Sequence, residues 1–243
     1  MKGRTNQADH EQLVPFKDCV GAYPLHEEAR AGEIHAAPWL DPIPVALRDM
    51  AVECLNRGDV DGFLFKASNE YSLELVFCNT PLLWKLGLYE TALLAAFDDT
   101  RTNNSCYRLR ELRGLFEQAD PARLRALGDP LPSPGPFTLY RGVAGRGSRR
   151  MVAGLSWTSS LGCACWFARR LHRYLTDPAV YTITITDDLI SAHLNRRNEG
   201  EFIVLDPPRP RRMLLTLGDI LQRADDWKKG FEPASGGEMR KGR

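Results

Sequence analysis

The sequence predicts an α+β protein with a helical first half and a strand-rich second half. Three observations carry this: helix-period apolar spacing up to about residue 119, four prolines in the eight residues DPLPSPGP at 129–136, and short β-type runs beyond them. Proline cannot continue a helix, so 129–136 reads as an extended connector. The chain then divides into a polar arm over 1–40, a helical region over 41–128, the connector, a strand-rich domain over 137–222 and a polar tail over 223–243.

The arm is polar and broken by proline, without sustained periodicity, and predicts partial order at best. From Pro42 the pattern turns helical. Leu47, Met50, Ala51, Cys54 and Leu55 fall on one apolar face, Gly58 is placed to end that helix, and Asp59 can cap a short successor. Further helices are expected over 69–79, 81–98 and 104–119; the second has Pro81 in the favoured first turn and carries Leu82, Leu83, Trp84, Leu86, Leu93, Leu94 and Phe97. Beyond the connector, strands are expected over 137–141, 151–160, 180–186, 201–205 and 213–217, interrupted by one helix over 161–174. No internal repeat is present.

Composition narrows the function classes. Lysine plus arginine number 32 against 31 for aspartate plus glutamate, and a net charge of +1 supplies no overall field for coating nucleic acid or an anionic membrane. No apolar run approaches the roughly 20 residues needed to span a bilayer. The opening MKGRTNQADHEQ has no apolar stretch behind it, so no classical secretion signal is expected and a cytoplasmic setting is favoured. Six scattered cysteines without a CxxC pair predict reduced thiols, and five dispersed histidines offer no zinc-site spacing, so no metal is expected.

Three segments join polar chemistry to strand geometry. In LYRGVAGRGSRR, Arg141 ends an apolar strand and precedes glycines, which lets guanidinium and backbone approach a phosphate closely; a surface arginine before a glycine turn is the plain alternative. The GxG at 145–147 leads into SRR rather than an apolar helix and is no dinucleotide fingerprint. In GLSWTSSLGCACWFARR, strand alternation puts Ser156, Thr158 and Ser160 on one side and Trp157 and Ser159 on the other, although such residues are also ordinary in half-buried sheets. In RRNEGEFIVLDPP, Glu199 and Glu201 lie two apart at a strand entrance, hence on one face, where two carboxylates repel and raise each other's pKa; a solvated acidic turn balanced by Arg196 and Arg197 is the alternative. The RPRR run at 209–212 reads as a solvated strand edge, with contact to an acidic partner as the second option.

Taken in order, Tyr140-Arg141-Gly142, then Ser156-Trp157-Thr158 or Thr158-Ser159-Ser160, then Glu199-Gly200-Glu201 resemble the mono-ADP-ribosyltransferase family of the arginine-serine-glutamate class. The forms LYRGV, GLSWTSS and R-x-E-x-E-F-I-V look in particular like bacterial and phage-associated members, toxins and effectors among them. The resemblance covers about 137–217; the serine-threonine-serine motif is not literal, and the helical half carries no motif of the family.

What the resemblance implies is a split two-sheet β-sandwich around an NAD cleft, and cleavage of the nicotinamide glycosidic bond with transfer of ADP-ribose to a macromolecular acceptor. It implies Glu201 as the carboxylate that stabilises the oxocarbenium-like transition state. A hydroxyl of Ser156 or Thr158 would fix that carboxylate, and Arg141 would hold NAD with Gly142, Ser156, Thr158, Trp157 and Glu201 lining its site. Glu199 would orient the incoming nucleophile, and a glutamate there resembles enzymes that modify arginine. NAD is then a substrate, and no metal is required. The acceptor expected is a protein; nucleic acid is less favoured, because the arginines at 141–150 and 209–212 lack interleaved aromatics. The alternatives are an NAD glycohydrolase, with water as nucleophile, and a non-catalytic interaction module on the same scaffold.

Overall fold

The computed structural model describes residues 37–99, 108–147, 150–195 and 197–230, which fall into two compact units, 1–108 and 109–243. Most of the arm over 1–40, the start of the helix expected over 104–119 and the tail beyond 230 lie outside the described residues.

The first unit is helical: α1 (Arg48–Asn56), α2 (Val60–Leu64), α3 (Ser72–Cys78), α4 (Thr80–Lys85) and α5 (Tyr89–Asp99). Its core gathers the fully buried Phe63, Leu73, Leu75, Leu83, Tyr89 and Leu93. Asp59 caps α2, its carboxylate accepting from the Gly62 amide at 2.8 Å. The single helix expected over 81–98 is two, because Gly87 takes a φ of +68° that ends α4 and lets α5 start on a new axis.

The second unit opens with α6 (Leu109–Glu117) and α7 (Pro121–Leu127), the latter capped by Asp120 with Pro121 in its first turn. Six strands follow: β1 (Phe137–Val143), β2 (Ser156–Thr158), β3 (Ala179–Ile185), β4 (Ala192–Leu194), β5 (Glu201–Ile203) and β6 (Arg211–Arg212). α8 (Leu161–His172) comes after β2 and α9 (Leu217–Lys229) after β6. The mixed α+β class is as expected.

In place of the two sheets the resemblance implies, the six described strands are hydrogen-bonded into one antiparallel sheet, ordered β4-β5-β2-β1-β3-β6. Its middle is narrow. β1 and β3 pair over seven positions, whereas β1 and β2 pair only at Tyr140 and Thr158, so two three-stranded halves meet at a single rung. Phe137, Leu139, Trp157, Ile183, Ile185 and Phe202 form one buried cluster. A second, of Ala164, Cys165, Ala168, Val180, Ile220 and Ala224, packs α8 and α9 onto β3. Gly142 makes the close approach of β1 to α8 feasible: a Cβ there would lie 1.8 Å from the Ala164 carbonyl oxygen.

Several expected elements shift. Of 151–160 only Ser156–Thr158 is strand, and the stretch expected as a strand over 213–217 contributes one further ladder bond, from the Met213 amide to Val180, before helix begins at Leu217. That helix occupies part of the stretch read as polar tail, and it starts on a capping box in which Thr216 and Asp219 exchange side-chain and backbone bonds. The short β4 was not expected from the sequence, since three residues are too few to show alternation.

Candidate active site

The site grows from the narrow middle of the sheet. Thr158 pairs with Tyr140 on one side and with Glu201 on the other, and opposed residues in antiparallel strands share a face, so the three form one row. No further rung joins β1 to β2, and Arg141, the next residue on β1, adds side-chain bonds to β2 and to the segment before it. Its Nη1 donates to the Ser156 carbonyl at 2.6 Å and its Nε to the Met151 carbonyl at 3.5 Å. Gly154 leaves room for it, because a Cβ there would lie 2.2 Å from Arg141 Nη2. Part of Arg141 reaches solvent, yet desolvation by the surrounding backbone pulls its guanidinium down to about 10, and the Glu201 carboxylate opposes that shift. The group remains a cation at neutral pH.

Residues 197–200 carry Glu199 and lead into Glu201 at the start of β5, and the stretch is held at Asn195 and at Gly200. The Asn195 amide donates to the Asp129 carboxylate at 2.6 Å, and the Gly200 amide donates back to Asn195 Oδ1 at 3.1 Å. Asp129 itself is held on β4, its amide donating to the His193 carbonyl at 2.7 Å, while His193 Nδ1 donates to the Pro130 carbonyl at 2.8 Å. Thr158 Oγ1 donates to the Glu199 carbonyl at 2.5 Å, and the Ser159 amide donates to the Gly200 carbonyl at 3.0 Å. Asn198 and Gly200 take φ of +53° and +52°, the left-handed conformation that Asn and Gly tolerate best. Side chains at 199 and 201 are thus held on a prearranged backbone.

Glu201 is nearly enclosed, with 9% of its side chain exposed, and Glu199 keeps 17%. Arg197 Nη2 stands between them, 3.3 Å from Glu199 Oε2 and 3.5 Å from Glu201 Oε2. Arg197 faces both carboxylates and the Arg141 charge acts on Glu201, which is what lets like charges share one place. Cys163, buried at the start of α8, adjoins the same cluster. Burial, then the Glu199 charge, pushes its thiol up to about 12, with a bond from Thr158 and the Arg197 charge opposing, so it is a neutral thiol rather than a nucleophile.

The sequence candidates thus separate. Arg141, Ser156, Thr158, Glu199 and Glu201 come together, with two differences of role. Ser156 meets Arg141 through its main-chain oxygen, and the Thr158 hydroxyl holds the Glu199 backbone rather than the Glu201 carboxylate assigned to it. Trp157 and Gly142, expected to line the NAD site, do not join the cluster. The Trp157 indole is 1% exposed in the apolar core, its Nε1 donating to the Gly154 carbonyl at 3.0 Å, because alternation along β2 turns it away from Thr158. Gly142 is occupied by α8. Ser160, placed by alternation on the cleft side, instead caps α8, its Oγ accepting from the Cys163 amide at 3.2 Å.

The arginine runs flanking Arg141 also go elsewhere. Arg150 pairs with Asp177 and donates to the Gly145 carbonyl at 2.8 Å, and Arg212 on β6 reaches the same carboxylate at 3.1 Å. Arg197, Asp129, Asn195 and Cys163 are the residues sequence reading missed. Arg197 was named only as a balancing charge, and no local signal marks Asp129, which acts 66 residues away.

Among the described residues no group of three or more His, Cys, Asp or Glu could hold a metal ion, and no helix is long and apolar enough to cross a membrane. Among the described residues Cys54, Cys78, Cys163 and Cys165 are all buried. No family model, no curated protein and no solved structure matches the chain.

Proposed function

We propose that this chain is an NAD-dependent mono-ADP-ribosyltransferase that transfers ADP-ribose to an arginine of a protein acceptor. The observation that carries the reading is the convergence of Arg141, Thr158, Glu199 and Glu201 from three strands and one loop onto the single rung joining β1 to β2. Two further features support it. The β1–β2 ladder is the shortest in the sheet, a single pair, and an extended dinucleotide needs a place where neighbouring strands are not bonded along their length. An enclosed carboxylate beside a second, more exposed one also suits a reaction that develops positive charge and then admits a nucleophile.

In this reading Glu201 faces the ribose and stabilises the cation that develops as nicotinamide leaves; its enclosure lowers the local dielectric and strengthens that effect. Arg141 ties β1 to β2 through the Ser156 carbonyl and meets the anionic part of NAD. Thr158 sets the height of Glu199 by gripping its carbonyl, and Glu199 orients the incoming guanidinium and accepts its proton.

The test is incubation with labelled NAD and a cell lysate, separating labelled macromolecules from free ADP-ribose. A labelled protein band is expected from the wild type. Glu201→Gln is expected to lose about a hundredfold or more of nicotinamide release, on the order of 3 kcal/mol, with an unchanged circular dichroism spectrum. Full turnover by folded Glu201→Gln protein would refute the proposal.

A further inference from the structure

Arg197 lies where an acceptor of the proposed reaction has to present its guanidinium. Its Nη2 touches both carboxylates, at 3.3 Å and 3.5 Å, and its side chain is 40% exposed while those of Glu199 and Glu201 are 17% and 9% exposed, so it approaches the pair from the solvent side. A guanidinium offered by another protein has to take up the same contacts. The segment bearing Arg197 is not loosely hung: its ends are bonded through Asn195 to Asp129 and through Gly200 to Ser159, and a turn from the Asn198 amide to the Asn195 carbonyl closes at 2.9 Å. Arg197 is thus a tethered guanidinium at high effective concentration beside the acidic pair.

We infer that Arg197 is a modification site of this chain, taking ADP-ribose from NAD bound in its own cleft; the inference rests on the transferase reading above. In that step the bond from the ribose anomeric carbon to the nicotinamide nitrogen breaks, and nicotinamide leaves with the bonding pair. A lone pair on an Arg197 terminal nitrogen forms the new carbon–nitrogen bond, and the proton that nitrogen gives up passes to Glu199 and then to solvent. NAD is the only co-reactant, and nothing is oxidised or reduced. Glu199 is already in contact with the nitrogen that loses the proton.

The experiment uses the full chain with labelled NAD and no added acceptor. The expected result is one ADP-ribose per chain, located on Arg197 by peptide fragmentation, with an initial rate per molecule that does not change on dilution of the protein. Arg197→Lys is expected to lower self-labelling by at least about tenfold, because the shorter side chain ends in a compact ammonium and presents no guanidinium nitrogen to the anomeric carbon. Nicotinamide release with Arg197 unmodified overturns the inference and leaves the transferase reading standing, as does a per-molecule rate that rises with protein concentration. No nicotinamide release, with or without lysate, defeats the reading and the inference together. Mapping on the wild type decides the matter even if the variant fails to fold.

Discussion

Thr158 Oγ1 donates to the Glu199 carbonyl at 2.5 Å and accepts from the Ser160 amide at 3.0 Å, so one hydroxyl on β2 joins the acidic loop to the start of α8. Thr158→Val keeps the shape and removes these two bonds as well as the one to the Cys163 thiol, leaving a carbonyl and an amide to find other partners. It is expected to destabilise the protein by about 2 kcal/mol and to reduce NAD cleavage through a displaced loop. Thr158→Ser restores the hydroxyl and should recover most of both losses. Urea midpoints and nicotinamide release on the three proteins check this; equal stability of the valine variant contradicts it.

Glu199 and Glu201 are expected to fail differently. In Glu199→Ala the cation can still form against Glu201 and be captured by water, so target labelling should vanish while free ADP-ribose continues to appear. Both products are measured in one lysate. Equal loss of both would assign Glu199 to holding the segment 195–200 rather than to orienting an acceptor.

Gly142→Ala tests the contact of β1 with α8. The added methyl would meet backbone at 1.8 Å, which no side-chain rotation relieves, so strand and helix must separate. A loss of about 3 kcal/mol in the urea transition is expected. An unaffected midpoint would show that β1 and α8 pack less closely than described.

Cys163 makes stability depend on alkaline pH. An ordinary thiol ionises near 9, and burial with the neighbouring glutamates pushes this one up to about 12 in the folded state. Below about 9 both states hold the proton and its contribution is fully present. Between about 9 and about 12 only the unfolded chain releases the proton, so stability falls as pH rises through that window. Cys163→Ala should lose less stability than the wild type between pH 8 and pH 10, read as the difference in urea midpoints. Identical slopes would place Cys163 outside the charged cluster.

Helices announced themselves where the apolar period was long enough to count, as in α1 with Ala51, Cys54 and Leu55 buried together. The same signals were present but unread in α9: Thr216 and Asp219 at capping-box spacing, then Ile220 and Ala224 on one face. β4 was not legible, since three residues carry no alternation, whereas the exposed β6 lies at the edge of the sheet within the 209–212 run that reads as a solvated strand edge. Candidate residues Arg141, Ser156, Thr158, Glu199 and Glu201 were legible as a resemblance of order and spacing. The polar row at Thr158 and the burial of Trp157 follow from alternation along β2.

Short-range chemistry carried the α+β class, the break at 129–136 and the positions of the acidic and hydroxyl-bearing segments, because proline stereochemistry, helix period and strand alternation act over a few residues. Partner choice among strands is of another kind. Period two says which residues share a face but not which strand lies alongside, so nothing local sets Thr158 against Glu201 or stops the β1–β2 ladder after one rung. The same holds for Arg197 between two glutamates and for Asp129 holding Asn195 from across the sheet edge. Those contacts form only when residues far apart in the chain are packed together, since their energy depends on the burial and charge that packing creates.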